Sequence, residues 1–360
     1  MNRYYYLLQK RFGGYWRFPK LKDFCYLVNP YFPPQQMLEE MKFLLPTLIS
    51  AYPSGLETQN MMASSIFNCE PSQLTVGNGA SELIKALLPL ISGKIGIPVP
   101  TFNEYPSLIA KQQLVEFSSY RKQFQYTVED LLNFCRKTPE LAALILINPD
   151  NPSGHFFPKD QLIILLETLE DMGITLILDE SFVDFADRHD NHSLIAADLL
   201  QQYKHLIVIK SLGKSYGVAG CRLGIVASSD TQIITKVKKN LPIWNINAFA
   251  ECFLQIFGKY TAHYRTACHQ LILDRQLLFK QLNEISFLKP IPSNANFILC
   301  ELSEKFTPDF LVNQLLDAKW ILIKDCSDKR GFEKQPYLRI AVRDTADNNY
   351  LVQCLKEMDT

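Results

Sequence analysis

The strongest constraint on this chain is an alternation of short apolar runs with helical patterns, extending from about residue 75 to 230. Apolar runs at 96–99, 114–117, 144–147, 175–178, 206–209 and 223–226 read as strands, most with the unbroken hydrophobicity of strands buried on both faces. Helical patterns at 81–90, 127–137 and 158–172 lie between them, the last with Pro158 expected at its first helical position. This alternation predicts an α/β fold, a mostly parallel sheet with helices on both faces. After the segment 241–247 the pattern changes to a long helical stretch at 264–285. Three strands follow at 296–302, 321–324 and 337–342, interleaved with helices at 308–318 and 346–358. That is a smaller α+β unit, so the chain divides into an arm (1–44), a large domain (45–257) and a small domain (258–360).

Ligands of such sheets bind beyond the carboxyl ends of the strands, where this sequence concentrates its polar and glycine-rich segments. Val76-Gly77-Asn78-Gly79-Ala80-Ser81 joins an extended segment to a helix, so the N–H groups of Gly79, Ala80 and Ser81 face a place where an anion could sit. A capped glycine turn is the alternative for that segment. Ile145-Leu146-Ile147 runs into Asn148-Pro149-Asp150-Asn151-Pro152-Ser153-Gly154, and the strand at 174–178 ends in Asp179, a carboxylate placed to face the crevice. The run at 205–209 leads to Ser211-Leu212-Gly213-Lys214-Ser215-Tyr216-Gly217, and Arg222 follows. The Lys214 amine, partly desolvated and next to Arg222, has a lowered proton affinity and can attack an aldehyde.

In this order the motifs resemble those of fold-type I pyridoxal-phosphate enzymes, the class I/II aminotransferase superfamily. The resemblance implies pyridoxal 5'-phosphate as cofactor, bound to Lys214 as a Schiff base. It implies that Gly79, Ala80, Ser81, Ser211 and Arg222 hold the cofactor phosphate and that Tyr105, in Pro100-Thr101-Phe102-Asn103-Glu104-Tyr105, stacks on the pyridine. Asp179 would pair with the pyridine nitrogen, and Asn151 would donate to the phenolic oxygen. The Asn151–Pro152 bond is a candidate cis peptide. Tyr52 and Pro53 resemble an element that reaches the cofactor phosphate of a neighbouring subunit, which implies a homodimer with shared active sites.

The ends of the chain narrow the resemblance. Gly13-Gly14, Lys22-Asp23-Phe24-Cys25 and Asn29-Pro30 are similar to the amino-terminal pattern of threonine-phosphate decarboxylases, relatives of histidinol-phosphate aminotransferases. Ile321-Leu322-Ile323-Lys324-Asp325-Cys326, then Gly331 and Tyr337-Leu338-Arg339-Ile340-Ala341-Val342-Arg343, are similar to the carboxyl-terminal one. Phe182, where many aminotransferases have Tyr, matches the decarboxylases. Three positions depart: Phe12 stands in place of a phosphate-holding His, Lys324 in place of Arg, and Gly213 in place of Ser or Thr. Arg339, Lys324 and Asn29 are the expected substrate-binding residues, since the planar fork of Arg339 suits a carboxylate or a phosphate. If Arg339 holds the carboxylate, a Cα proton is lost and transamination follows. If Arg339 and Lys324 hold a phosphate, the carboxylate leaves as carbon dioxide. The expected activity is therefore decarboxylation of an O-phospho amino acid. An aminotransferase of the histidinol-phosphate or aromatic type is the alternative, and a non-catalytic cofactor-binding protein a distant one.

Composition excludes other classes. With 37 basic and 37 acidic residues the formal net charge is zero, which argues against polyanion binding. Lys10, Arg11, Arg17, Lys20 and Lys22 nevertheless make the first segment locally basic, a solvated face that could also attract an anionic substrate. Nine cysteines without a CxxC pair suggest thiols in a reducing compartment, and the first residues are too polar for a signal-peptide core. No membrane span is expected and the cytoplasm is the expected location. His189-Asp190-Asn191-His192 reads as a polar loop, and no metal site is expected.

Overall fold

The computed structural model describes residues 13–120, 124–186, 192–333 and 335–359. Within them the strands form two sheets. First in the chain is β1 (Lys22–Phe24), which belongs to the second sheet. The first sheet holds β2 (Leu74–Gly77), β3 (Lys94–Val99), β4 (Leu114–Ser118), β5 (Leu141–Ile147), β6 (Thr175–Asp179), β7 (Leu206–Ser211) and β8 (Gly224–Ala227). Their spatial order is β2-β8-β7-β6-β5-β3-β4. The strands from β4 to β7 pair in parallel, and β8 runs against both its neighbours, β7 and β2. Leu144, Ile145 and Leu146 of β5 and Leu176, Ile177 and Leu178 of β6 are at most 1% exposed, as their unbroken apolar runs require. Going outward from the gap between β5 and β3, successive strands proceed in opposite directions. This is a topological switch point, where a crevice opens at the carboxyl ends.

The second sheet adds β9 (Leu288–Pro290), β10 (Phe297–Leu302), β11 (Ile321–Asp325) and β12 (Tyr337–Ala341) in the order β1-β11-β12-β10-β9. β1 pairs in parallel with β11, while the other pairings are antiparallel. A strand from the first forty residues is therefore an edge of the carboxyl-terminal sheet. The long helix Thr261–Leu282 packs against the helix Thr345–Asp359 and against β9 and β10.

Local chemistry sets the element ends. Thr127 and Asp130 form a reciprocal capping box before the helix Val128–Lys137. Thr307 caps the helix Pro308–Lys319, whose first residue is a proline. Two readings need correction. Pro158 precedes the helix Lys159–Asp171 as its cap, with extended ψ, rather than opening it. The cis bond of the asparagine-proline turn is Asn148–Pro149, not Asn151–Pro152. Phe12, Lys10 and Arg11, and the residues 189–191 of the polar loop, lie outside the described residues. All nine cysteines are free thiols. Among the described residues no helix is long and apolar enough to cross a membrane.

Candidate active site

Segments from the carboxyl ends of β3, β5, β6 and β7 converge on the crevice. Asp179 is the last residue of β6 and is buried. Its Oδ1 accepts from the Ser181 backbone N–H at 2.9 Å and its Oδ2 from the Tyr105 hydroxyl at 2.9 Å. Burial pushes the Asp179 carboxyl pKa up; the hydrogen bonds from Ser181 and Tyr105 and the Lys214 charge pull it back. Tyr105, in the short helix Glu104–Leu108 after β3, is fully buried. The sequence suggests only a stacking ring for it, and the structure adds the hydroxyl contact to Asp179.

The turn after β5 closes on itself. Asn148 donates from Nδ2 to the Phe157 carbonyl at 2.9 Å and accepts from the Phe157 N–H at 2.8 Å, while the Gly154 N–H donates to the Asp150 carbonyl at 2.8 Å. Asn151 is thereby presented from a rigid loop. Its Oδ1 accepts from Arg339 Nη1 at 2.7 Å, which turns its Nδ2 donors away from Arg339.

Lys214 follows β7 and is clamped from both sides. Its carbonyl accepts from the Asn29 N–H at 3.0 Å, and Asn29 Nδ2 donates to the Ser215 carbonyl at 3.0 Å. Ser215 Oγ donates to Asp184 Oδ2 at 2.7 Å, and the same oxygen pairs with buried Lys210 Nζ at 2.7 Å. Burial lowers the Lys214 pKa to about 8, with Arg339 and then Arg222 adding to the fall and Asp179 opposing it. A Cβ at Gly213 would lie 3.1 Å from the Ala219 Cα, so a serine there would crowd this loop.

On the other side, Gly79 (φ +84°) leads into the helix Ala80–Leu87, which has no side-chain cap. Its first N–H groups, from Ala80 and Ser81, therefore remain available to an anion. A Cβ at Gly79 would come within 2.7 Å of Arg222 Nη2, and one at Gly224 within 2.5 Å of the Ala80 nitrogen. Arg222 is in the left-handed region, at φ +56° and ψ +55°. Ser211 ends β7 and donates from its backbone N–H to Ser181 Oγ at 3.0 Å.

The second sheet contributes Arg339, at the centre of β12 and directly opposite Lys324 of β11. Opposed residues of an antiparallel pair share a face, so the two cations lie side by side. Besides the bond to Asn151, Arg339 Nη2 donates to the Cys25 carbonyl at 3.0 Å, and its buried Nε lacks a protein partner. Two residues named from the sequence sit differently. Asn29 has its side chain engaged at both ends, Oδ1 accepting from the Tyr31 N–H at 3.0 Å. Tyr52 is 79% exposed, its ring 4.7 Å from that of Trp244, and it joins none of these contacts.

Sequence reasoning missed the Ser215–Asp184–Lys210 support, although a lysine ending a buried apolar strand signals a need for a partner. It also missed Lys329, in the loop after β11, where nothing in the sequence separates it from a solvated lysine.

The donor set matches pyridoxal phosphate. A lysine amine of lowered proton affinity, a buried carboxylate, an amide oriented by Arg339 and an uncapped helix start with Arg222 packed against Gly79 are the groups such a cofactor needs. The comparisons agree. The chain matches the aminotransferase class I and II family over residues 52–355 and belongs to that family. Its cofactor is pyridoxal 5'-phosphate. CMP-5'-(3-aminopropyl)phosphonate synthase of Streptomyces rubellomurinus is 31% identical over 98% of this chain, but the chain spans only 55% of that protein's length. L-serine phosphate decarboxylase of Sulfurospirillum multivorans is 30% identical, over 95% of this chain and 90% of that one. A decarboxylase structure from the same organism superposes with a TM-score of 0.83 at 29% identity, covering 95% of this chain and 97% of the other. The histidinol-phosphate aminotransferase of Clostridium acetobutylicum follows at 0.81 and 26%, covering 94% and 99%.

Proposed function

We propose that this chain is a decarboxylase of an O-phospho amino acid, acting in the cytoplasm as a homodimer. The observation that carries the proposal is the pairing of Arg339 with Lys324 on one face of the second sheet. Two adjacent cations suit a phosphate dianion better than a single carboxylate, and decarboxylases acting on serine phosphate are among the relatives.

In this reading Lys214 is the residue that captures the cofactor, and Ser81, Ser211, Arg222 and the N–H groups of Ala80 and Ser81 would hold its phosphate; the Gly79 N–H, expected there from the sequence, is instead given to the Gly77 carbonyl at 2.7 Å. When bound, pyridoxal phosphate supplies an electron sink for the pair left on the substrate Cα. Asp179 would hold the ring nitrogen and Asn151 the phenolic oxygen, with Tyr105 the residue available to lie against the ring. Arg339 and Lys324 hold the substrate phosphate, which leaves the carboxylate without a bidentate partner and lets it depart as carbon dioxide. Lys214 Nζ then delivers a proton to Cα in place of the carbon dioxide lost. Asn29 positions the Lys214 segment through the backbone rather than touching substrate.

The homodimer reading draws support from an exposed apolar face. Phe43, Ile49, Tyr52, Met61, Ile243 and Trp244 are each more than half exposed, and Ile49, Tyr52 and Trp244 line one surface hollow. A second copy covering this face would bring Tyr52 to the neighbour's cofactor.

Single-turnover reactions of the cofactor-loaded protein with O-phospho-L-serine, O-phospho-L-threonine and histidinol phosphate test the activity. Carbon dioxide release with the cofactor recovered unchanged is the expected result. Conversion of the cofactor to its amine form without carbon dioxide would replace the proposal with an aminotransferase.

A further inference from the structure

The loop between β11 and β12 crosses to the first sheet and carries a cation to the crevice. Lys329 Nζ donates to the Thr101 carbonyl at 2.7 Å and to Asn103 Oδ1 at 2.8 Å, both in the segment that leads to Tyr105. The loop is held there on both sides of that contact. Arg330 pairs with Glu116 of β4, and Gly331 (φ +94°) packs so tightly that a Cβ would lie 2.7 Å from the Pro100 nitrogen. Lys329 is thus fixed in place rather than swinging in solvent.

Its acceptors are neutral, and an ammonium has three protons to donate. Burial lowers its pKa to about 8; Cys326 opposes the fall, Arg339 and Lys324 deepen it, and Asp150 opposes it weakly. Asp150 is itself occupied, its carboxylate accepting from the Ser153 N–H and hydroxyl. Among the described residues no hydrogen bond or ion pair joins Arg339, Lys324 or Lys329 to a carboxylate. Three cations of this corner therefore keep donors that no carboxylate of the described residues accepts, and a phosphoryl dianion, with three acceptor oxygens and two charges, answers them better than a monocarboxylate.

We propose that Lys329 is a specificity-determining residue of this site, a third cation that with Arg339 and Lys324 binds the phosphoryl end of the substrate. The inference rests on the substrate class proposed above and adds a residue to it. A phosphate ester and a phosphonate present the same dianion, and Lys329 serves either.

Calorimetric titration of the cofactor-loaded protein with O-phosphoethanolamine, which has the amine and phosphate but no carboxylate to lose, tests it against ethanolamine. Lys329→Gln is expected to raise the Kd for phosphoethanolamine by roughly 10-fold to 100-fold and to leave ethanolamine within about twofold, with Lys329→Arg close to wild type. Arg330→Ala, which removes one anchor of the same loop and leaves the Lys329 ammonium and the Gly331 packing in place, is expected to weaken phosphoethanolamine by a clearly smaller factor than Lys329→Gln. In the wild-type protein, phosphoethanolamine is also expected to shield Lys329 from acetylation, read by mass spectrometry, so the test does not depend on a variant folding. An unchanged Kd in Lys329→Gln, equal weakening of both ligands, the same loss in Arg330→Ala, no shielding, or no phosphoethanolamine binding by the wild type would each overturn the inference. A Lys329-dependent phosphoryl site in a protein that releases no carbon dioxide from any phospho amino acid would instead defeat the decarboxylase reading alone.

Discussion

The two sheets furnish the crevice in different ways. The seven-stranded sheet presents Asp179, Asn151 and Lys214 from strand ends and short clamped turns, where backbone geometry fixes each group no more than four residues beyond a strand. The five-stranded sheet presents Arg339 and Lys324 as long side chains, with Lys329 on a loop, reaching across to the other sheet. The first arrangement suits a cofactor that never changes, because strand ends are the least adjustable positions in the fold. The second suits a substrate that varies among relatives, because one long side chain can be exchanged without moving a strand. Chemistry and specificity are thus built from different material.

Substitutions on the two sides should consequently fail in different parameters. In the proposed reaction Lys214→Ala removes the nucleophile and the proton carrier together, and turnover should fall by roughly 10³-fold or more. Arg339→Lys keeps the charge and loses the fork. The expected outcome in steady-state kinetics is a rise in KM for the phospho amino acid of roughly 10-fold to 100-fold, with cofactor affinity held within about threefold. Because Arg339 Nη1 also holds Asn151, this variant tests the division directly. Equal losses of cofactor and substrate affinity would show that the two halves are one unit.

The same contrast governs what could be read from the sequence. The parallel sheet, its strand-end turns and the grouping of Asp179, Asn151 and Lys214 were legible, since apolar runs followed by Gly, Pro, Asn and Asp are local patterns. The surroundings of Arg339 are not legible in this way, because alternation along β12 gives a face but not what the face opposes. Its register with Lys324 depends on how the loop between β11 and β12 returns the chain, and its reach to Asn151 on a contact 188 residues apart in sequence. Lys329 was invisible for the same reason, since its acceptors at Thr101 and Asn103 are contributed by the other sheet. The cis bond was placed one turn too late. Asn148–Pro149 and Asn151–Pro152 are alike as dipeptides, and only the closed contacts of Asn148 with Phe157 distinguish the first.

The smallest expected effect addresses a charge interaction between the two halves at the nucleophile itself. A lysine with a pKa of about 8 is neutral in about one molecule in ten at pH 7, against about one in 2,500 for an ordinary lysine. Capture of pyridoxal phosphate by cofactor-free protein needs that neutral amine, so its rate should climb through about pH 8 and level off above it. After burial, the largest cause of the lowered value is Arg339 on the substrate side, ahead of Arg222 on the cofactor side. Replacing either by glutamine removes a positive charge and must move the midpoint upward, and Arg339→Gln should move it further than Arg222→Gln. Arg339→Lys, which retains the charge, should leave it in place. If only Arg222→Gln shifts the midpoint, the substrate side has no hold on the nucleophile and the separation between the sheets is complete. If Arg339→Gln shifts it more, a substrate anion that neutralises Arg339 also raises the proton affinity of Lys214, so the phosphoryl site and the proton carrier are linked through charge alone.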